Sequence, residues 1–338
     1  MKATQHPAIS IVLPVYQGER FLEAAVASVR AQTWTDWELV VVDDGSTDAS
    51  ASLIERLVQI DQRIRLIRHE SNRGLAAALN TGIRSSQAPL LAILEQDDLW
   101  RADKLRAQLD IFETNPAIDV VMVAQLLYDR HSGRFTGLSR GNLSSTSFRQ
   151  SVADAMGPFD ESRELLGVQD VDMALAVAEA RAAGRLPPNG HREIAEPQTV
   201  RQLHGTSESS SGQWGRTAMK YRALLARYEG GPGAPLPVLV PLLDYVRLRL
   251  AFNLAALGQR SEALRLLATC SRRRHLDGSA LGVLTFILLP RGFASRVFTW
   301  HERRGRARGA RAVERTVRAR WPEALAEADE LLQAAQHS

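Results

Sequence analysis

Two aliphatic runs in this chain end in carboxylates. Val40-Val41-Val42 leads into Asp43-Asp44-Gly45-Ser46, and Leu90-Leu91-Ala92-Ile93-Leu94 into Glu95-Gln96-Asp97-Asp98-Leu99-Trp100. Carboxylates gathered where a buried strand ends are costly unless they bind a cation or cap a helix. A single cluster is explained by capping, here of a helix beginning near Leu99. Two in one domain point to a site that handles a metal and a nucleotide.

The elements that must position these groups alternate in period. Ile9 to Leu13 reads as a strand, and Phe21 to Gln32 as an amphipathic helix with Leu22, Val26 and Val29 on one face. Glu38 to Val42, Ile64 to Ile67 and Pro89 to Leu94 read as further strands. Between them lie helices opened by Ser46-Thr47-Asp48 and running from Leu75 to Ser85. Strand–helix alternation at this spacing implies crossover units and a mostly parallel sheet. Ligands on such sheets bind outside the carboxyl ends of the strands, where both acidic clusters lie.

Beyond Val120 the pattern loosens. A strand is expected near Val120 to Leu127, a Ser/Gly-rich connection around Ser139 to Ser147, and a helix from Val171 to Ala183. Gly205 to Gly212 is a polar, serine-rich stretch that reads as a loop closing the first domain; with Trp214 beyond it, the loop has the composition of a lid. After Gly230-Gly231-Pro232-Gly233 the chain reads as helical, and Leu248 to Leu257 with Ser261 to Leu267 resembles one helix pair of the tetratricopeptide sort.

With 338 residues there is room for two domains, and 45% apolar content suits a globular core. A lone cysteine, Cys270, excludes an internal disulfide or a cysteine zinc site and fits a reducing compartment. Met1 to Pro7 lacks the apolar stretch of a signal peptide. The longest apolar candidate for membrane contact, Leu281 to Leu289, is half the length of a spanning helix. The net charge of +4 is uneven: eight arginines face a single Glu314 between Arg303 and Arg320. That run reads as a solvated helix face or as a patch for anionic headgroups, and no motif for nucleic acid accompanies it.

A phosphate loop, a Gly-x-Gly-x-x-Gly turn after the first strand and a nucleophile elbow are all missing, which argues against P-loop enzymes, dinucleotide dehydrogenases and serine hydrolases. Present instead, in order, are Ile9 to Glu19, Ala31-Gln32-Thr33-Trp34-Thr35-Asp36-Trp37-Glu38, Val42 to Asp48, Asn72-Arg73-Gly74-Leu75-Ala76, Glu95 to Asp98, Gly157-Pro158-Phe159-Asp160-Glu161 and Gln169-Asp170-Val171-Asp172. Across residues 8 to 208 this set resembles glycosyltransferase family 2 of the nucleotide-diphospho-sugar transferases, with the GT-A fold. The resemblance implies a domain at about 1–212, with a nucleotide-sugar half to about 115 and an acceptor half from 116. A helical region, 213–338, would associate with a membrane, make oligomers or pack on the catalytic domain.

Residue roles follow from the resemblance and from chemistry. Pro14 and Tyr16 would cradle a base, although Tyr16 also suits a half-buried core position. Asp44 would accept from base or ribose, while Asp43 shapes the turn and Ser46 or Asp48 caps the next helix. Glu19, Asn72, Gly74, Glu95 and Gln96 complete the donor-binding set. Asp97 is the expected ligand of Mn2+ or Mg2+, which neutralises a departing diphosphate. Glu95 stands where an Asp is usual, and Asp98 is expected to cap the helix containing Leu105, Leu109 and Phe112.

Asp170 is the expected general base, or else a carboxylate at a helix N-terminus; the usual Glu before it is Gln169. His204 resembles a segment that meets the diphosphate or metal, with a spacing one residue longer, and is otherwise structural. The implied activity is inverting transfer of a sugar, from a UDP-sugar by preference, to a glycan or lipid-linked acceptor in cell-surface polysaccharide assembly. It would take place in the cytoplasm or on the inner face of the membrane. The rivals are a nucleotidyltransferase, which normally shows a Gly-rich loop, and a catalytically silent nucleotide-sugar scaffold.

Overall fold

The computed structural model describes residues 6–162, 165, 167–204, 214–229, 237, 239–270 and 315–337. The chain forms two compact units. One comprises Met1–Glu161, Arg185–His204 and Gly309–Ser338; the other comprises Ser162–Gly184 and Gly205–Arg308.

In the first unit, strands β1 (Ile9–Val15), β2 (Trp37–Asp43), β3 (Ile64–Arg68), β4 (Leu90–Ile93), β5 (Asp98–Trp100), β6 (Val120–Asp129), β7 (Arg134–Ser139), β8 (Thr146–Arg149) and β9 (His191–Leu203) form one sheet. Their order is β3-β2-β1-β4-β8-β6-β9-β5, with β7 on β6. The first four strands pair in parallel, as the alternation implies. Beyond β4 the sheet is mixed: β8 runs antiparallel to β4 and β6, while β9 runs parallel to β6 and antiparallel to β5. Strands β1 and β2 are buried along their whole length, which is why Ile11 to Leu13 and Leu39 to Val42 read as continuous aliphatic runs rather than as alternating ones.

Helices α1 (Leu22–Arg30), α2 (Ser50–Ile60) and α3 (Leu75–Ser85) supply the crossovers, and α4 (Lys104–Thr114) and α5 (Gln150–Met156) follow. Gly82 lets α3 lie close on β1, because a Cβ there would stand 2.3 Å from Val12 Cγ1. Each Val, Leu or Ile enclosed in this core contributes about 1.5–3 kcal/mol.

In the second unit are α6 (Gln169–Ala182), α7 (Trp214–Glu229), α8 (Val240–Ala256) and α9 (Arg260–Thr269). They share a core of Leu175, Leu224, Leu243, Val246, Leu250 and Leu254. Tyr228 Oη donates to Asp172 Oδ1 at 2.8 Å, joining α7 to α6. The last helix, α10 (Pro322–His337), belongs to the first unit, where Leu325, Ala328 and Leu332 pack with Leu99, Leu126, Tyr128 and Val200. Glu327 accepts from Arg101 Nε and from the Ala102 amide, both at 2.6 Å.

Three expectations change. Asp98 does not cap a helix at Leu99: Asp98–Trp100 is a strand on β9, and the helix starts at Lys104. Local sequence favours a helix there, but Trp100 is enclosed and its amide and indole N–H are taken by Ser28 Oγ and the Ser144 carbonyl. The Ser139 to Ser147 connection holds a 3-10 turn (Leu143–Ser145) and the start of β8. Strand β9 was not expected at all. Gly205 to Gly212, Leu281 to Leu289 and the arginines from Arg303 to Arg311 lie outside the described residues. Among those that are described, no helix is long and apolar enough to cross a membrane.

Candidate active site

At the carboxyl edge of the first unit, the chain leaving β1 is stitched to the chain leaving β2. Gln17 Oε1 accepts from the Thr47 and Asp48 amides at 2.9 and 3.1 Å, and Ser46 Oγ accepts from the Gln17 amide at 3.1 Å. Glu19 Oε2 accepts from the Ala49 amide at 3.0 Å, so this carboxylate serves the start of α2. The N-cap of α2 is Ala49 rather than Ser46 or Asp48, while Asp48 Oδ1 accepts from the Ser50 amide at 3.0 Å from one residue before it. Asp43 shapes the turn, accepting from the Ser46 amide at 2.9 Å and pairing with Arg68 Nε at 3.2 Å.

Asp44 is only 3% exposed. Its Oδ1 meets His69 Nδ1 at 2.7 Å and the Arg73 amide at 2.9 Å, and its Oδ2 accepts from the Gly74 amide at 2.7 Å. Asp44 therefore ties the end of β2 to the Asn72–Gly74 segment and the start of α3. Asn72 itself is exposed.

Gln96 clasps the Tyr16 backbone from both sides: Oε1 accepts from its amide at 3.0 Å and Nε2 donates to its carbonyl at 3.1 Å. Pro14, inside β1, is buried, whereas the Tyr16 ring is 46% exposed, so the tyrosine is a surface group rather than a core aromatic. Gly18 makes the clasp possible, since a Cβ there would lie 2.5 Å from Gln96 Oε1.

Glu95 follows β4, its amide donating to Ser144 Oγ and its carboxylate accepting from Asn142 Nδ2. Two residues on, Asp97 Oδ2 stands 2.9 Å from His204 Nε2, across 107 positions of sequence. The His204 ring stacks on Phe21 with centroids 4.6 Å apart. Gln202 Nε2 donates to the Asp97 carbonyl at 2.8 Å, fixing the backbone of the acidic turn. Asp98 is enclosed, and burial followed by the neighbouring Asp97 and Glu95 charges pushes its carboxyl well above the usual range.

A carboxylate oxygen and an imidazole nitrogen this close can share a cation in place of a proton. Among the described residues no group of three or more His, Cys, Asp or Glu is arranged to hold a metal. Two protein donors, with diphosphate oxygens and water for the rest, fit a hard divalent ion that binds together with its substrate. The residues present fit such an ion.

Asp170, in the second unit, is exposed in the first turn of α6, its Oδ1 accepting from the Val171 amide at 2.9 Å. Gln169 beside it is buried, with Oε1 on the Gly167 amide. Helix α8 brings Tyr245 and Arg249 into the field of Asp170: burial, then Tyr221 and, more weakly, Asp170 push the Tyr245 hydroxyl up to about 12. Arg249 Nε in turn reaches Tyr221 Oη at 3.3 Å. Sequence reasoning missed Gln17, Phe21, His69, Asn142 and this α8 pair.

The model of glycosyl transferase family 2 matches residues 10–156. A Bacillus subtilis protein assigned to teichuronic acid biosynthesis as a glycosyltransferase is 36% identical over 104 residues, 31% of this chain and 41% of that one. The Escherichia coli UDP-Glc:α-D-GlcNAc-diphosphoundecaprenol β-1,3-glucosyltransferase WfgD is 36% identical over 107 residues, 32% of this chain and 42% of that one. The chain thus spans about two fifths of the length of these curated relatives. Among solved structures, the mannosyltransferase PcManGT of Pyrobaculum calidifontis with GDP-Man and Mn2+ has a TM-score of 0.54 at 20% identity, covering 94% of this chain and 88% of that one. Residues 1–349 of TarS from S. aureus with UDP-GlcNAc give 0.51 at 15% identity, covering 92% and 91%. These structural likenesses establish the fold, which is GT-A.

Proposed function

We propose, from the match of residues 10–156 to the glycosyl transferase family 2 model, that the protein transfers a sugar, with inversion, from a nucleotide-diphosphate donor to a hydroxyl of a glycan or lipid-linked acceptor. The setting is assembly of a cell-surface polysaccharide, a reading supported by one relative named for teichuronic acid biosynthesis and another named for glucosyl transfer to a diphosphoundecaprenol-linked GlcNAc. The observation that carries the reading is the Asp97–His204 pair at the carboxyl edge of the sheet.

The exposed Tyr16 ring, its backbone fixed by Gln96, is a platform for the base, with uridine favoured and guanosine or thymidine open. Asp44 acts by holding the Asn72–Gly74 segment against that edge. Asp97 and His204 would hold Mn2+ or Mg2+, which supplies charge neutralisation for the diphosphate as it leaves. Asp170 is assigned the proton. As the acceptor oxygen bonds to the anomeric carbon, the bond from that carbon to the diphosphate oxygen breaks, and the acceptor's proton passes to the Asp170 carboxylate. A positioned base of this kind contributes about 10²- to 10⁴-fold.

The test is turnover of UDP-, GDP- and dTDP-sugars with and without Mn2+ or Mg2+, beside Asp97→Ala and Asp170→Asn. One donor should be turned over in a metal-dependent way, Asp97→Ala should lower this about 10²- to 10³-fold, and Asp170→Asn should bind donor but fail to transfer. Donor binding without turnover by the unmodified protein would favour the silent scaffold, and no donor binding would overturn the reading.

A further inference from the structure

Two arginines converge on the ring that supports His204. The Arg20 guanidinium carbon lies 5.5 Å from the Phe21 centroid and that of Arg130 lies 5.2 Å from it. Arg20 belongs to the turn after β1, and Arg130 directly follows β6, its amide donating to the Leu203 carbonyl at 3.1 Å. Both therefore stand at the carboxyl edge. Arg130 Nη1 donates to Gln202 Oε1 at 2.7 Å, and Gln202 in turn holds the Asp97 carbonyl. One ring and one glutamine thus link the two cations to the acidic turn.

Like charges so close are unfavourable unless something neutralises them. The adjacent carboxylates are engaged elsewhere: Glu19 Oε2 on the Ala49 amide, Asp129 Oδ1 on the His131 amide at 2.9 Å, and Asp97 Oδ2 on His204. Among the described residues neither guanidinium has a carboxylate in ion-pair reach. Partial burial and then the charge of Arg20 hold Arg130 below its ordinary range, so the repulsion is felt. Arginine forks match phosphoryl oxygens in geometry, and each charge-assisted contact strengthens where water is partly excluded.

We propose that Arg20 and Arg130 form a phosphoryl-binding pair beside the Asp97–His204 site. Its ligand is a phosphate-type anion, carried either by the nucleotide donor or by a phosphorylated lipid acceptor. The choice of reaction rests on the glycosyl-transfer reading, whereas the anion site does not.

Calorimetric titration of the full chain with inorganic pyrophosphate, UDP, GDP and uridine, for the unmodified protein, Arg20→Gln, Arg130→Gln and the double variant, tests it. Arg20 is exposed, so its variant should keep the fold, and exposed Arg106→Gln on α4 is the control. Each single variant should weaken pyrophosphate by about tenfold and leave uridine unchanged. A matching loss for UDP or GDP assigns the pair to the donor. Unchanged nucleotide affinity with a raised KM for a diphospholipid acceptor, but not for a phosphate-free glycoside, assigns it to the acceptor. Pyrophosphate binding that is absent from the unmodified protein, or equal in all variants, overturns the pair. Failure of every nucleotide to bind while pyrophosphate still does would instead overturn the transferase reading.

Discussion

At the end of β2, Asp43 and Asp44 are enclosed, and their carboxylates are held by two loop amides, a turn amide, His69 and an ion pair to Arg68. At the end of β4, the Asp97 side chain keeps 27% of its surface and faces one imidazole. Alike in sequence, the two ends differ in what surrounds them. Where amides converge on a carboxylate it becomes a structural clamp; where a single exchangeable partner faces it, it stays available to a ligand.

The sharpest way to break this comparison is Asp97→Ala. It should cost about 10²- to 10³-fold in kcat/KM, since a few kcal/mol of charge stabilisation is lost, with thermal stability nearly unchanged. Asp44→Ala should do the reverse, removing about 2–3 kcal/mol of stability by stranding loop amides and His69, which reads as a Tm several degrees lower. If Asp44→Ala kept its Tm and lost donor binding, the clamp would be a binding group after all.

Lys104 sharpens the same point for a buried cation. It is fully enclosed, with Nζ 2.9 Å from Gln108 Oε1 and 3.6 Å from the Trp100 ring centre, and burial pushes its ammonium well below the ordinary range. Between that depressed value and the ordinary lysine value of 10.5, the unfolded chain holds a proton the folded one lacks, so stability rises with pH through this window. Lys104→Met should therefore be about 1–2 kcal/mol more stable at pH 7, with the gain shrinking as pH approaches the unfolded value. Chemical denaturation at several pH values measures the slope. Smallest of all, Glu19→Ala should lose about 0.5–1 kcal/mol as a lost helix cap, with donor KM unchanged. A raised KM would give Glu19 a second task.

The parallel half of the sheet was legible because its strands are buried on both faces and its helices carry clean apolar stripes. Strand β9 was not: His191-Arg192-Glu193 and Glu196-Pro197 break any apolar alternation, and Pro197 sits where the register with β6 shifts beside Ala124. Strand β5 was hidden by its three-residue length and by a partner roughly a hundred positions away. Residue types at the site were readable, but not their engagement. Nothing local to Asp44 announces His69, and His204 was tied to the metal or diphosphate only through the family resemblance.

Strand β9 also has a consequence for the order in which the molecule comes into being. It is the sole described neighbour of β5 and leads directly into His204, while the four mutually parallel strands β1 to β4 are complete by Ile93. A chain emerging from the ribosome can thus close its parallel core about a hundred residues before the acidic turn acquires its imidazole. Such pairing across long sequence separations is slow. During synthesis the protein passes through an interval in which β1 to β4 are paired and Asp97 has not yet met His204, so the cation site proposed there would be among the last features to form.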